Sequence, residues 1–133
     1  MIERPKEMAT DTSAKLPAIQ YGVQEVEKLT GTRFDIIVDL DATAPIRTVD
    51  DIKGAVNLLE TKGISNVITG VIARKSPYYN QVELNPTGKV ISSKPLSQYI
   101  IRRQDAPIVY DMNASIYVWE RNTLFKHLIN ISQ

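Results

Sequence analysis

The sequence predicts an α/β fold in which a parallel or mixed sheet is flanked by helices. Apolar residues recur every three or four positions in two segments, which is the spacing of a helix face. Each segment is followed by a short, almost entirely apolar stretch, which is typical of a buried strand. A helix, strand, helix, strand order is typical of βα units, whose strands usually pair in parallel through right-handed crossovers.

The first helix is predicted from one apolar stripe and two boundary residues. Pro17 suits the first helical turn, and Gly31 suits the helix end. A buried strand is predicted over residues 34–40, which are apolar apart from Asp35 and Asp39. The stripe consists of Leu16, Ile19, Val23, Val26 and Leu29.

The second helix is predicted to begin at a capping box and to end at Gly63. Thr48 and Asp51 have the spacing of such a box, with an aspartate where glutamate or glutamine is usual. A second buried strand is predicted over residues 67–73. The apolar stripe of this helix consists of Ile52, Ala55, Val56 and Leu59.

The pattern changes after Pro77. Residues 81–84 and 89–92 flank the turn-forming segment 85–88 (NPTG), which predicts a β-hairpin. A short strand is predicted over residues 115–119. An amphipathic helix over residues 124–129, with Asn122 or Thr123 as its N-cap, is predicted to follow.

Residues 1–133 are predicted to form one incomplete domain, because a doubly wound sheet usually opens with a strand, a turn and a helix. This sequence opens instead with a polar loop and a helix. Residues 78–111 are predicted to be a dimerisation insertion, because four of their apolar residues have no obvious place in a parallel core. These four are Leu96, Tyr99, Ile100 and Ile101.

The composition excludes several functional classes. Lys plus Arg is 16 and Asp plus Glu is 15, a net charge of +1 that gives no reason to expect nucleic acid as a partner. The longest apolar runs fall far short of the ~20 residues that span a bilayer. The sequence has no cysteine and one histidine, so thiolate sites and nucleophilic triads are set aside. A polar N-terminal segment and the absence of cysteine favour a reducing, cytoplasmic setting.

Asp39 and Asp41 stand at the carboxyl end of the first predicted strand, where α/β sheets bind their ligands. Residues two apart on a strand face the same side, so the two carboxylates could meet one divalent cation. The alternative is that Asp39 pairs locally and Asp41 begins a turn. In the loop that follows, Thr43 offers a hydroxyl and Arg47 a fork for phosphate or carboxylate, unless Arg47 pairs with a neighbouring aspartate.

Two further features bear on anion binding. Lys94, Arg102 and Arg103 form a small basic cluster, which suits anion recognition, an interface or a solvated face. The six glycines form no G-x-G or Walker pattern, so the sequence contains no recognisable triphosphate loop.

Three ordered segments resemble the acylneuraminate cytidylyltransferases, also called CMP-sialic acid synthetases. They are residues 4–12 (RPKEMATDT), 40–48 (LDATAPIRT) and 103–107 (RQDAP), the last followed by residues 113–117 (NASIY). Asp41 and the Tyr-Asp-Met-Asn run from Tyr110 are most similar to members acting on legionaminic-type nonulosonic acids. The resemblance implies a nucleotidyltransferase with a Rossmann-like sheet, which is the fold class predicted from the residue pattern.

The resemblance also implies an activity and a set of partners. The family transfers CMP from CTP to a nonulosonic acid, releases pyrophosphate, uses Mg²⁺ and forms homodimers. It implies that Arg4 and Ser13 lie near the cytosine. It implies sugar contacts for Asp41, Thr43, Arg103 and Asn113, with Asp41 standing where many members have a glutamine. No catalytic residue and no metal ligand is assigned.

The sequence departs from the family pattern at several points. The opening Gly-rich basic phosphate motif and the late Asp-x-Asp motif that holds Mg²⁺ have no counterpart. Asp111 replaces a basic residue, Ala114 a common glycine, and Tyr79 stands where some members have lysine. The sequence therefore predicts the central part of a cytidylyltransferase. The alternatives are a non-catalytic sugar- or nucleotide-binding remnant and an α/β interaction domain.

Overall fold

A computed structural model describes residues 2–95 and 102–126, with Arg103 described by its backbone alone. The three helices are α1 (Lys15–Thr30), α2 (Val49–Lys62) and α3 (Arg121–Lys126). The five strands are β1 (Ile36–Leu40), β2 (Asn66–Ile72), β3 (Val82–Leu84), β4 (Val90–Ser92) and β5 (Tyr110–Glu120). Single 3-10 turns cover Lys6–Met8 and Arg103–Asp105. The predicted apolar residues at positions 96, 99, 100 and 101 lie outside the described residues.

The boundary residues of α1 and α2 confirm the prediction from sequence. Gly31 and Gly63 end the two helices in the left-handed conformation, with φ of 65° and 60°, which costs glycine little. At the start of α2, Thr48 Oγ1 accepts a hydrogen bond from the Asp51 N–H. Asp51 Oδ2 accepts one from the Thr48 N–H in return at 2.8 Å, so the predicted capping box is confirmed.

Three strands form one sheet in the order β1-β5-β2. β1 is antiparallel to β5, with Leu40 opposite Ile116. β2 also runs against β5, because the Glu120 N–H donates to the Ser65 carbonyl and the Ala73 N–H to the Val109 carbonyl. β1 and β2 therefore point the same way, but the late strand β5 lies between them. The α/β class is confirmed, whereas the parallel pairing predicted for these two strands is not found among the described residues.

One face of this sheet packs on α2. Ala55 and Leu59 of the helix are buried against Ile116 and Val118 of β5, which is the apolar stripe that the sequence predicts. Burial of such a stripe is the main source of helix stability in a folded domain. Partly buried residues complete this core: Ile36, Val38, Ile52, Val56 and Val67.

The alternate residues of β1 and β5 belong to the opposite face, which meets α1. Asp39 is paired with Tyr117, and Lys15 of α1 contacts both. Farther along α1, buried Gln20 donates to the Leu124 carbonyl at 2.7 Å. These polar and cation–π contacts attach α1 to the sheet and to α3.

The start of α3 corrects one prediction. Asn122 and Thr123 are not its N-caps, since both lie within the helix. The Glu120 carboxylate instead accepts hydrogen bonds from the N–H groups of both residues, at 3.1 and 2.8 Å. A carboxylate is favourable at the positive end of a helix. Glu120, the last residue of β5, therefore caps α3 in place of Asn122 or Thr123.

The predicted hairpin is confirmed as the antiparallel pair β3 and β4. Asn85 Oδ1 accepts hydrogen bonds from the N–H groups of Thr87 and Lys89, at 3.0 and 2.9 Å. Gly88 takes a φ of 77°, where a side chain would be strained. The role of this hairpin in dimerisation stays a prediction.

The chain divides into two compact units. Unit 1 comprises Met1–Thr69 and Ala114–Gln133, and unit 2 comprises Gly70–Asn113. Residues 78–111, the predicted insertion, fall within unit 2. No helix in the described part of the chain is long and apolar enough to cross a membrane.

Candidate functional site

The carboxyl end of β1 gathers charged side chains on the α1 face of the sheet. Lys15 Nζ lies 2.9 Å from Asp39 Oδ2 and 3.5 Å from Asp41 Oδ2. It also lies 5.4 Å from the centroid of the Tyr117 ring, within the range of a cation–π contact. Both aspartates therefore face one side, as predicted, but what they share is an ammonium group.

Asp41 organises the loop that follows β1. Its Oδ1 accepts hydrogen bonds from Thr43 N and Thr43 Oγ1, at 2.8 and 2.7 Å. These bonds, with Lys15 nearby, hold the pKa of the Asp41 carboxyl below its usual range. The predicted turn at Asp41 is thus held by its hydrogen bonds with Thr43, and Oδ2 is the oxygen that the turn leaves unused.

Arg47 closes the same loop through backbone carbonyls. Its Nη1 lies 2.8 Å from the Asp41 oxygen, 2.6 Å from the Ala44 oxygen and 3.2 Å from the Ser115 oxygen. The pairing of Arg47 with Asp50 or Asp51 is not found among the described residues, since its Nη1 donates to backbone carbonyls and Asp51 is engaged in the capping box. Anion binding by this guanidinium stays a prediction.

The two predicted nucleotide residues lie in the segment that precedes α1. Ser13 ties this segment together: its Oγ donates to the Glu7 carbonyl at 3.1 Å and lies 2.6 Å from Thr10 Oγ1. Arg4 is exposed. Ser13 therefore holds together the turn that precedes α1, and Arg4 lies farther toward the start of the same segment.

The other two predicted sugar residues belong to unit 2. Arg103 begins the 3-10 turn Arg103–Asp105, and Asn113 is exposed on β5. Their contact with a sugar stays a prediction.

A bulge interrupts β5 next to Asn113. Ser65 and Ala73 are eight residues apart on the β2 side, whereas their backbone hydrogen-bond partners Glu120 and Val109 are eleven apart. β5 thus contains three additional residues, and Ala114 takes a φ of 51° within them. Bulges re-aim side chains and are frequent beside functional sites. The position at which glycine is common in the family is therefore one that the backbone geometry favours for glycine.

The described residues do not fit a Mg²⁺ site. Within them, no three His, Cys, Asp or Glu side chains come together as metal ligands. Asp39 and Asp41 are the best pair, and Lys15 lies between them where a cation would bind. We derive no step through a metal from these residues.

Two open depressions lie away from β1. The larger, about 580 Å³, is lined by residues at the end of α1 that include Lys28 and Arg33. The smaller, about 250 Å³, belongs to unit 2 and is lined by Lys75, Ser76 and Gln104 among others. Only the smaller one includes residues of the motif at 103–107.

Sequence reasoning missed Lys15, although one signal was present. Lys15 is the first residue of α1, and a cation is unfavourable at the positive end of a helix dipole. A lysine at that place is therefore expected to have an acidic partner. Its partners lie 24 and 26 residues farther along the chain, so no local spacing could name them.

No protein-family model matches the sequence. The chain is 41% identical over 125 residues to a protein of Campylobacter jejuni subsp. jejuni named CMP-N,N'-diacetyllegionaminic acid synthase. The resemblance predicted from the sequence is confirmed. The chain is also 39% identical, over 125 residues, to the Post-translational flagellin modification protein B of Campylobacter coli.

Both alignments cover 94% of this chain and 52% of each relative. The chain thus spans about half the length of the curated relatives it matches. The similarity extends over both units.

Proposed function

We propose that this chain takes part in the transfer of CMP from CTP to a legionaminic-type nonulosonic acid. The observation that carries the proposal is the 41% identity to the protein named CMP-N,N'-diacetyllegionaminic acid synthase. In this reaction the anomeric hydroxyl of the sugar attacks the α-phosphorus of CTP, and pyrophosphate leaves. We also propose a Rossmann-like nucleotidyltransferase ancestry for the sheet and a cytoplasmic reaction, both expected from the sequence.

Asp41 and Thr43 are proposed to bind the sugar from the loop after β1. The exposed loop lies at the carboxyl end of a strand, where α/β sheets bind ligands. Since Thr43 takes up Oδ1, the Oδ2 atom of Asp41 is the acceptor for a sugar hydroxyl or amide N–H. A carboxylate accepts only, whereas the glutamine usual in the family also donates. Asp41 therefore suits a sugar that presents a donor at this point.

Arg103 and Asn113 are proposed to bind the sugar from unit 2. A nonulosonic acid carries a carboxylate, which a guanidinium can hold through two hydrogen bonds. Asn113 can donate and accept, which suits an N-acyl group. Arg4 and Ser13 are proposed to lie near the cytosine of CTP.

The test is calorimetric titration of the 133-residue chain with CTP and with N,N'-diacetyllegionaminic acid, each with and without Mg²⁺. Arg103→Ala is expected to weaken sugar binding by about tenfold or more, because the sugar carboxylate loses a charged partner. Arg102→Ala is the matched control: Arg102 is the adjacent arginine, and its contact is an exposed pair with Asp105 at 3.4 Å. Equal losses in the two variants would contradict the assignment of Arg103. Binding of neither ligand by the wild-type chain would favour an α/β interaction domain.

Substrate choice gives a second test of the same site. We expect Asp41→Gln to change the ratio of affinities for two nonulosonic acids that differ in their N-acyl or hydroxyl groups. The physical reason is the added N–H donor. Unchanged affinity ratios would show that Asp41 organises the loop but does not discriminate between sugars.

We further propose that unit 2 forms a homodimer interface. The described part of unit 2 exposes apolar side chains on its hairpin, where Val82, Leu84 and Val90 are each more than 60% exposed. Patches of this kind are typical of interfaces. Sedimentation at micromolar concentration is expected to show a dimer, and Leu84→Lys is expected to shift it toward monomer. Leu58→Lys, an exposed leucine of α2 in unit 1, is the control, and an equal shift there would contradict the assignment.

A further inference from the structure

Lys15 places a positive charge where its own helix disfavours one. It is the first residue of α1, at the positive end of the helix dipole. Its ammonium is nevertheless held by Asp39 at 2.9 Å, by Asp41 at 3.5 Å and over the Tyr117 ring. The side chain remains 56% exposed, so it is within reach of a ligand at the same loop. The partners on the sheet, and not the helix, determine where this ammonium lies.

The hydrogen bonds at Asp41 determine what Lys15 does there. Thr43 occupies Oδ1, whereas Oδ2 faces the ammonium of Lys15. Any donor of a sugar that approaches Oδ2 therefore arrives beside Lys15. Asp39, near the end of β1, adds a second carboxylate beside this loop, so an anionic ligand there meets two negative charges. The compensating charges are the ammonium of Lys15 and the Arg47 guanidinium that closes the loop.

We propose that Lys15 is a specificity-determining residue for the acidic sugar, a proposal that rests on the proposed function. Its ammonium holds the Asp41 carboxylate in place through Oδ2. It also offsets the repulsion between the two aspartates and the carboxylate of the nonulosonic acid. Lys15 acts through Asp41 and through charge, so it is a positioning residue and not a catalytic one.

A purely structural role is the competing explanation, because Lys15 also connects α1 to β1. The two explanations differ in three measurable ways. Charge compensation depends on salt, depends on the charge of the sugar, and is retained when arginine replaces lysine. A structural tie would instead change the melting temperature and would affect charged and uncharged sugars alike.

The experiment measures the Kd of N,N'-diacetyllegionaminic acid and of its methyl ester for the 133-residue chain. Lys15→Met is expected to weaken binding of the acid about tenfold at low salt, and less at high salt. Binding of the uncharged ester is expected to change by about threefold or less, since only the positioning of Asp41 is lost. Lys15→Arg is expected to keep most of the affinity for the acid.

Lys28→Met is the matched control. Lys28 also lies on α1 and also pairs with a carboxylate, Glu25, at 2.6 Å, but at the other end of the helix. We expect it to leave both affinities unchanged. Adding Asp39→Asn to Lys15→Met is expected to recover part of the lost affinity, because one of the two repelling charges is removed.

The outcomes separate the proposals. If Lys15→Met binds the acid as tightly as the wild type, Lys15 has no such role, and the proposed function stands. If acid and ester lose affinity equally, and the melting temperature falls, the role of Lys15 is structural. A wild-type chain that binds no nonulosonic acid would overturn the proposed function and this proposal together.

Discussion

The two units of the chain differ in where their apolar side chains lie. Every buried residue within the described ranges belongs to unit 1: Gln20, Ala55, Leu59, Ser115, Ile116, Val118, Trp119 and Leu124. In unit 2 the hairpin residues Val82, Leu84, Val90 and Ile91 are all exposed. Unit 2 is ordered instead by local hydrogen bonds, such as those to Asn85 Oδ1.

This difference indicates that the two units obtain their stability from different sources. Unit 1 has a buried core and capped helices, which stabilise it within a single chain. Unit 2 has few buried contacts and many exposed backbone hydrogen bonds, which are the features of regions that open first. Burial of the exposed apolar surface of unit 2 in a dimer would supply the stabilisation that unit 2 does not obtain from a core of its own.

The largest effect is expected from a matched pair of leucine truncations. Leu124 in unit 1 is 0% exposed, and Leu84 in unit 2 is 71% exposed. Leu124→Ala is expected to lower the free energy of unfolding by about 2–5 kcal/mol, and Leu84→Ala by less than about 0.5 kcal/mol in the monomer. Urea denaturation at low protein concentration measures both. Similar values would contradict the contrast between the units.

The second-largest effect on stability is expected at Gly70, the residue of β2 at which unit 2 begins. A Cβ added to Gly70 would lie 2.9 Å from the Asp111 carbonyl oxygen, and the backbone there cannot turn aside as a side chain can. Gly70→Ala is expected to cost about 1–3 kcal/mol in urea denaturation. Gly54→Ala in α2 is the control, since a Cβ there meets no atom within 4 Å. A helical position gains about 0.5–1 kcal/mol from alanine, so the two variants should change stability in opposite directions.

A smaller effect on stability is expected at Ala114, the residue of β5 at which unit 1 resumes. Ala114 has a φ of 51°, a conformation that an L side chain makes unfavourable. Ala114→Gly is expected to raise the free energy of unfolding by about 0.5–1 kcal/mol, since relief of strain exceeds the added freedom of the unfolded chain. Ala42→Gly, in an exposed loop residue without a positive φ, is expected to be neutral or slightly destabilising. Destabilisation by Ala114→Gly would contradict a strained bulge.

The smallest effect is a change in the acid stability of unit 1. Two hydrogen bonds of 2.7 Å from Arg121, and one from the Phe34 N–H, lower the pKa of Glu27 to about 2. Because the folded pKa lies below the ordinary value of 4.5, this contribution is present above pH 4.5 and is lost as the pH falls toward 2. Fluorescence of Trp119, the single tryptophan, reports unit 1. Glu27→Gln is expected to flatten the pH dependence of its unfolding between pH 4.5 and 2, and an unchanged profile would contradict the role of this pair.

Local rules were sufficient for α1, α2, the hairpin and the family resemblance. The capping box at Thr48, the left-handed glycines and the Asn85 turn each depend on a few adjacent residues, so the sequence predicts them directly. The apolar stripe of α2 predicted its buried face for the same reason. The motifs at residues 4–12, 40–48 and 103–107 predicted the family resemblance that the 41% identity confirms.

Long-range pairing decided the rest, because no local spacing reports which distant residues meet. Insertion of β5 between β1 and β2 made every described pairing in the central sheet antiparallel, although the local pattern favoured parallel neighbours. The same folding brought Lys15 to Asp39 and Asp41, and Arg47 to the Ser115 carbonyl, across 24 to 68 residues of sequence. The sequence alone thus determined the elements and the candidate residues. The tertiary structure decided that the paired aspartates bind a lysine ammonium, because an edge strand and a helix N-terminus meet on one face of the sheet.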